Sequence, residues 1–381
     1  MTDEREQDLA NLREMVRDFL GDRWSEQQIR DVMADGTGGD AAVWGRFAGD
    51  LGLASLPFPE EYGGAGAGWT EVGIVLEEAG RALFCSPYFA SVVLGGAALL
   101  ASGDERACAR YLPGIADGSR RATLAAPEVA GYRPGDQPRV TATRMDGAWT
   151  LDGHVAQVVD GATAELVLVV AETGAGTALF AVTGEPARTP LTTLDLTRPL
   201  ARLDFRDTPA ELVGAEGAGA EILARVLDVA AIALAAEQAG GAARVVEMAV
   251  EYAKVRRQFG ALIGSFQAVK HKCAEMLMLA EGARATARTA LDALDRDDPE
   301  VPLLARITGV YCSDAFVRCA TENIHVHGGI GYTWEHPAHL WFKRAQGSRL
   351  LLGDPASHLE RIAELTEPSG LDELTTEAAT A

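Results

Sequence analysis

Between about Arg121 and Pro209 the chain carries short strand-like runs, and on either side it reads as long helices; this order constrains the fold more than any other feature. In the middle stretch VTATRM and WTLDGH flank Asp146-Gly147. Asp-Gly between alternating runs signals a tight hairpin, because both turn residues must take positive φ. ELVLVVAE, TALFAVT and ARLDF follow as further strands, so a small all-β domain is expected over 121–215. Before it, in 1–120, LANLREMVRDFL and EVGIVLEEAGRALF repeat apolar residues at helical spacing, broken by the turn-rich PFPEEYGGAGAG at Pro57–Gly68. After it, 216–366 returns to helix: an Ala-rich stretch from Glu221 to Arg257, then Ser265–Leu294, Pro302–Val326 and Pro337–Leu351. Gly240-Gly241 lies inside the first of these, where the pattern continues on both sides, so it marks close helix packing more than a stop. Met276, Met278 and Leu279 read as helix core. Residues 367–381 lack apolar periodicity and read as a loose tail. Segregated helices, strands and helices define an α+β chain.

The chain is acidic, with 55 Asp and Glu against 34 Lys and Arg and a net charge of −21, which disfavours nucleic acid and anionic membranes as partners. The five cysteines, Cys85, Cys108, Cys273, Cys312 and Cys319, form no CxxC pair and read as reduced thiols. With a charged N-terminal stretch and no apolar run long enough to span a bilayer, the expectation is a cytoplasmic protein.

Against this acidic background the window Ala253–Ala274 holds Lys254, Arg256, Arg257, Lys270 and Lys272 and no acid. A local positive field of this kind suits a phosphate-bearing ligand, although basic residues at a helix end also answer the helix dipole. A second cluster, His325-Val-His327-Gly328-Gly329-Ile-Gly331, pairs glycines at a helix end, where backbone N–H groups meet phosphate oxygens, and where glycine also serves as an ordinary cap. His325, His327, His336 and His339 lie close in sequence, but the glycines and Pro337 keep one helix from presenting them together, so no metal site is expected. Gly63–Gly68 is not GxGxxG after a strand, and GxxxxGK[ST] and GxSxG are missing, which disfavours Rossmann, P-loop and serine-hydrolase readings. Trp334 and Trp341 read as core or interface aromatics, and Asp160-Gly161 as a turn.

PEEYGG at Pro59–Gly64, RRQFGALIGSFQAVKHKCAEM at Arg256–Met276 and HGGIGYTWEHPAHLWFKRA at His327–Ala345 together resemble the acyl-CoA dehydrogenases, over nearly the whole chain. The resemblance implies an N-terminal helical domain, a middle β-barrel-like domain and a C-terminal four-helix bundle. It also implies FAD held between subunits, an acyl-CoA substrate oxidised to the 2,3-enoyl-CoA, and an electron-transferring flavoprotein as acceptor. In that chemistry a glutamate removes the α-proton while hydride leaves the β-carbon for the flavin, and donors to the thioester oxygen stabilise the enolate. The family places its glutamate either early in the first long C-terminal helix or in the loop after the HGG-bearing helix. Here those positions hold Ala230 and Leu352.

The flavin contacts expected of the family divide in the same way. The β-domain loop that usually carries Ser or Thr reads LAAPEVAG, and Gln157 and Val159 stand at the Trp and Thr positions. The residues that in the family reach a neighbour's FAD are present as Arg256, Phe259, Gln267, Gly328 and Gly329, with His325 where Gln is common. Loss of one half with retention of the other points to one subunit of a heteromeric acyl-CoA dehydrogenase, paired with a homologous subunit that supplies the base and most ring contacts. Two alternatives stay open. One is a homomeric flavoenzyme with a relocated base, Glu237 first, seven residues after Ala230 and about 10 Å along the helix, then Asp354 or Glu335. The other is a scaffold without catalysis. The acyl group itself is not legible.

Overall fold

The computed structural model describes residues 2–133 and 139–366, and the expected tail at 367–381 lies outside them. Helices α1 (Thr2–Arg23), α2 (Glu26–Asp35), α3 (Ala41–Gly45), α4 (Trp69–Ala82), α5 (Ala97–Ala101) and α6 (Glu105–Ala116) build the N-terminal part. The segment Pro57–Gly68 turns as expected around one 3-10 turn, Glu60–Tyr62. Gly64 is required there, since a Cβ would lie 1.9 Å from the Phe58 carbonyl oxygen. Buried Glu78 ties α1 to α4 by accepting from Arg17 Nη2 at 2.8 Å and Arg13 Nη1 at 3.1 Å.

Seven strands follow: β1 (Ala122–Ala125), β2 (Val140–Met145), β3 (Ala148–Val159), β4 (Leu166–Thr173), β5 (Gly176–Val182), β6 (Ala187–Pro190) and β7 (Leu200–Val213). Asp146 and Gly147, with φ of 50° and 86°, make the hairpin turn between β2 and β3. The order β4-β2-β3-β7-β5 closes because β5 pairs back onto β4, giving a barrel-like ring with β1 added at β4 and β6 at β7. Alternating inward residues fill it, among them Leu151, Val155, Val169, Phe180 and Phe205.

Helix α7 (Gly219–Val255) then runs 37 residues through the middle of the molecule and is buried along most of its length. Its alanines and glycines let neighbours approach closely. A Cβ on Gly240 would lie 1.8 Å from the Glu77 oxygen of α4, and one on Gly241 2.5 Å from the Phe316 ring. A two-strand hairpin, β8 (Arg257–Gln258) and β9 (Ala261–Leu262), leads to α8 (Gln267–Asp295), α9 (Val301–His327), α10 (Ala338–Leu350) and α11 (Pro355–Thr366). Helices α7, α8, α9 and α10 form the C-terminal bundle. Met276 joins the core, but Met278 is 71% exposed, contrary to the sequence expectation, because residues two apart on a helix point to opposite faces. Trp341 is buried, while Trp334 is largely exposed. Among the described residues no helix is long and apolar enough to cross a membrane.

Candidate active site

The site residues read from the sequence fall into two groups, one on the surface and one inside. Arg256 ends α7, and its carbonyl accepts from Ile263 N at 2.8 Å, which folds the β8–β9 hairpin back on the helix. The turn is Phe259-Gly260, both at positive φ (52° and 78°). Left-handed backbone at a bulky residue is uncommon, and it projects Phe259 to 94% exposure. Gln267 opens α8 and is exposed as well. The guanidinium of Arg256 has no ion-pair or hydrogen-bond partner among the described residues, in a chain with a large excess of carboxylates.

The His-Gly-Gly turn reaches the same corner. His327 stacks on Tyr252, one turn before Arg256, with ring centroids 4.3 Å apart. Glu322 of α9 pairs with Lys272 of α8 and lies 3.3 Å from His325 Nδ1, which binds the basic window to the α9 end. Gly328 takes φ 65° and ψ −142°, open only to glycine. A Cβ on Gly329 would meet nothing within 4 Å, and its φ is not in the left-handed region. The chain's own packing therefore does not demand glycine at 329, which leaves the backbone bare for a group approaching from outside.

Inside, Ala230 is fully buried on α7 and offers only a methyl group. Leu352 follows α10 at φ 64°, and its N–H donates to the Val129 carbonyl at 3.1 Å. The LAAPEVAG loop is thereby held against the end of α10, so closely that a Cβ on Gly131 would lie 2.1 Å from the Leu350 oxygen. Between that loop, β3 and α10 lies a cleft of about 650 Å³, with Ala130, Gln157, Phe342, Leu351 and Asp354 among its walls. Asp354 caps α11, accepting from Ser357 N at 2.8 Å, and that bond holds its carboxyl below the usual range. Glu335 is exposed.

Glu237 is buried in a clamp. Both its oxygens accept from Arg198 Nη2 at 2.5 Å, and Oε1 also accepts from Arg344 Nη1 at 2.7 Å. Arg344 donates further from Nε to Asp195 Oδ2 at 2.9 Å and from Nη2 to the Thr197 carbonyl at 2.8 Å. Burial alone would raise the Glu237 carboxyl, but the two guanidinium charges and their hydrogen bonds outweigh it and hold the group below its ordinary value. A carboxylate so placed is a weak base. Val159 does not line the large cleft; it faces the small hollow beside this clamp. Arg198 and Arg344 were not singled out in the sequence. The available signal was a charge on the buried stripe of α10, in register with Trp341, Ala345 and Ser348, which implies a buried counter-charge.

FAD fits this chain unevenly. The bare Gly328-Gly329 turn and the unpaired Arg256 suit a pyrophosphate, and exposed Phe259 suits an apolar or aromatic contact. The interior cleft offers Gln157, whose Nε2 points to Tyr132 Oη at 3.5 Å, and no hydroxyl from LAAPEVAG.

An N-terminal helical part, a closed barrel and a helical bundle, with the cleft lying between the barrel and α10, are the frame of a flavoprotein CH–CH oxidoreductase, and the family matches give the chain that class. Residues 6–119 match the acyl-CoA dehydrogenase N-terminal domain and residues 217–366 the acyl-CoA dehydrogenase C-terminal domain, and the chain belongs to the acyl-CoA dehydrogenase family, which uses FAD. Acyl-CoA dehydrogenase IpdE2 of Mycobacterium tuberculosis is 35% identical over 351 residues, covering 92% of this chain and 95% of the relative. The solved ChsE4–ChsE5 complex of Mycobacterium tuberculosis has a chain 29% identical, with a TM-score of 0.86 over 94% of this chain and 97% of that one. A variant of the Tcur3481–Tcur3483 steroid ACAD matches with 28% identity and a TM-score of 0.84, covering 99% of both chains.

Proposed function

We propose that this chain is one subunit of a heteromeric acyl-CoA dehydrogenase, with FAD held mainly by a homologous partner that also supplies the catalytic base. The observation that carries this reading is the split site. The family's two base positions hold Ala230 and Leu352, Glu237 is clamped by two arginines, and Arg256, Phe259 and Gln267 stand exposed, Arg256 without an ion-pair or hydrogen-bond partner among the described residues. Two of the similar solved structures are named for pairs of proteins, ChsE4–ChsE5 and Tcur3481–Tcur3483, which supports a mixed assembly.

In such an assembly Arg256 would neutralise pyrophosphate charge, the bare Gly328-Gly329 backbone would donate to phosphate oxygens, and Phe259 and Gln267 would supply an apolar and a polar contact to the cofactor. FAD, when bound, supplies the hydride acceptor for the β-carbon of the thioester. This chain's residues act by binding and orienting, and the α-proton is taken by a group of the partner. An electron-transferring flavoprotein is the proposed acceptor, and the cytoplasm the proposed location.

The test is to purify the full chain alone and co-expressed with homologous acyl-CoA dehydrogenases from its own source. Native mass spectrometry and the flavin absorbance then give composition and FAD stoichiometry. A colourless, inactive lone chain and a yellow, active mixed complex are expected. A lone chain with full FAD occupancy and turnover would refute the reading and return Glu237 to consideration as base.

A further inference from the structure

Across the Ser86-Pro87 turn from the Glu237 clamp lies a pocket of about 290 Å³. Helix α3 and the loop before it form one side, and the turns after α4, between α6 and β1, and from β3 to β4 close the rest. Its volume is at the lower end of what small-molecule sites offer, about 300 Å³.

Asp160 sets the chemistry of this pocket. The residue is 5% exposed and its backbone is tied down: its N–H donates to the Pro199 carbonyl at 3.0 Å, and its own carbonyl accepts from Thr163 N and Ala164 N, each at 3.0 Å. The side chain lies against Gly38, where a Cβ would come within 3.0 Å of Asp160 Oδ1, and both residues line the pocket. The carboxylate oxygens accept no hydrogen bond and join no ion pair among the described residues, yet they are not sealed from the open space beside them. Leaving a buried carboxyl without a donor is costly, and proteins seldom do so.

The charges around Asp160 leave room for a cation. Asp40, Asp160 and Glu165 stand in the wall with one base, Arg121, which is spent on Glu165 through its N–H at 2.7 Å and Nη2 at 3.0 Å. Arg198 and Arg344 lie behind Asp160 and are engaged elsewhere. Arg344 gives every nitrogen to Asp195, Thr197 or Glu237, and Arg198 gives Nη1 to Ser348 and Nη2 to Glu237. Trp44, with Nε1 held by the Gly118 carbonyl at 2.9 Å, adds an aromatic wall, and aromatic faces attract cations. Thr37, Ser119 and Thr163 bring hydroxyl oxygens that accept hydrogen bonds. A metal ion is a poor match, because no three His, Cys, Asp or Glu side chains among the described residues are grouped to hold one. The surplus of carboxylates argues against an anion.

We propose that this pocket binds a small organic cation, an alkylammonium or guanidinium group on a short chain, which pairs with Asp160. Its occupancy would tie the β3–β4 turn of the barrel to the loop before α3. The inference stands on residues of this chain alone and does not depend on the heteromeric reading.

The test is a calorimetric titration of the full chain with butylammonium and butylguanidinium chloride at constant ionic strength, with 1-butanol as the uncharged control. It is run at pH 8, above the value of about 7 to which burial pushes the Asp160 carboxyl. One saturable site per chain is expected for each cation, with 1-butanol weaker by about tenfold or more. Asp160→Asn keeps the shape and removes the charge, so it should weaken both cations by about tenfold or more. Gly45→Leu, at an α3 position where a Cβ meets nothing within 4 Å, should weaken them as much by filling the pocket. Glu172→Gln, an exposed acid at the end of β4, should leave the affinity as it is. The proposal is overturned by the absence of a saturable site, by equal binding of 1-butanol, by unchanged affinity in either pocket variant, or by an equal loss in Glu172→Gln.

Discussion

At the scale of single residues, two arginine–carboxylate relations have opposite meanings. Arg256 is a cation without a partner in a chain rich in carboxylates, whereas the arginines around Glu237 are fully engaged. On the heteromeric reading, replacing Arg256 with Ala in the complex should remove a charged hydrogen bond to FAD worth about 1.5–3 kcal/mol and weaken FAD binding by about tenfold to a hundredfold, read by flavin fluorescence titration. Glu237→Gln should leave the complex's turnover per bound FAD within about twofold while lowering its melting temperature, because one partner is removed from a buried charged cluster, a change costing about 3 kcal/mol or more. Turnover falling with Glu237→Gln at constant stability would instead mark it as a base. The sequence exposed Arg256 readily, since a basic window stands out at a net charge of −21. It did not expose the clamp, because Arg344 meets Asp195 and Glu237 across 149 and 107 residues of chain, and no local pattern encodes such a meeting.

Among the elements, glycines divide into those that serve packing and those left bare. Gly240 lets α4 touch α7, and Gly240→Ala should push the helices apart and destabilise the fold by about 1–3 kcal/mol or more, measured by urea unfolding. Gly329 has open space beyond its Cα, so Gly329→Ala should leave the isolated chain's unfolding midpoint unchanged and still reduce FAD occupancy in the complex. Equal occupancy in that variant would remove the α9 turn from the cofactor site. Strand and helix identities were legible where chemistry is local. Asp146-Gly147 fixes a turn by demanding positive φ, and the Ala-rich run of α7 follows helical period. The return pairing of β5 onto β4, which closes the ring, is a long-range contact without a sequence signature. The exposure of Met278 follows from helical geometry once α8 has a defined buried face.

For the molecule as a whole, pH reports on the junction between the barrel and the helical parts. Asp160, at the turn after β3, is buried, and burial pushes its carboxyl up to about 7 despite the attraction of Arg198, Arg344 and Arg121. The native chain keeps this proton up to about pH 7, while an unfolded Asp releases it near about 3.9. Between those values the folded state holds more protons, so this group makes stability fall as pH rises, with its full penalty reached above pH 7. Asp160→Asn should therefore melt higher than the parent at pH 8, the gap closing as pH falls toward 4, as scanning calorimetry across that window would record. A constant gap would show that the carboxyl titrates in the ordinary range.

The Phe259-Gly260 turn has a consequence for how this chain assembles. An aromatic ring held almost wholly in water gains free energy by being covered. On the heteromeric reading a neighbouring subunit and its cofactor would cover it, so the ring's loss of water would help hold the unlike subunits together.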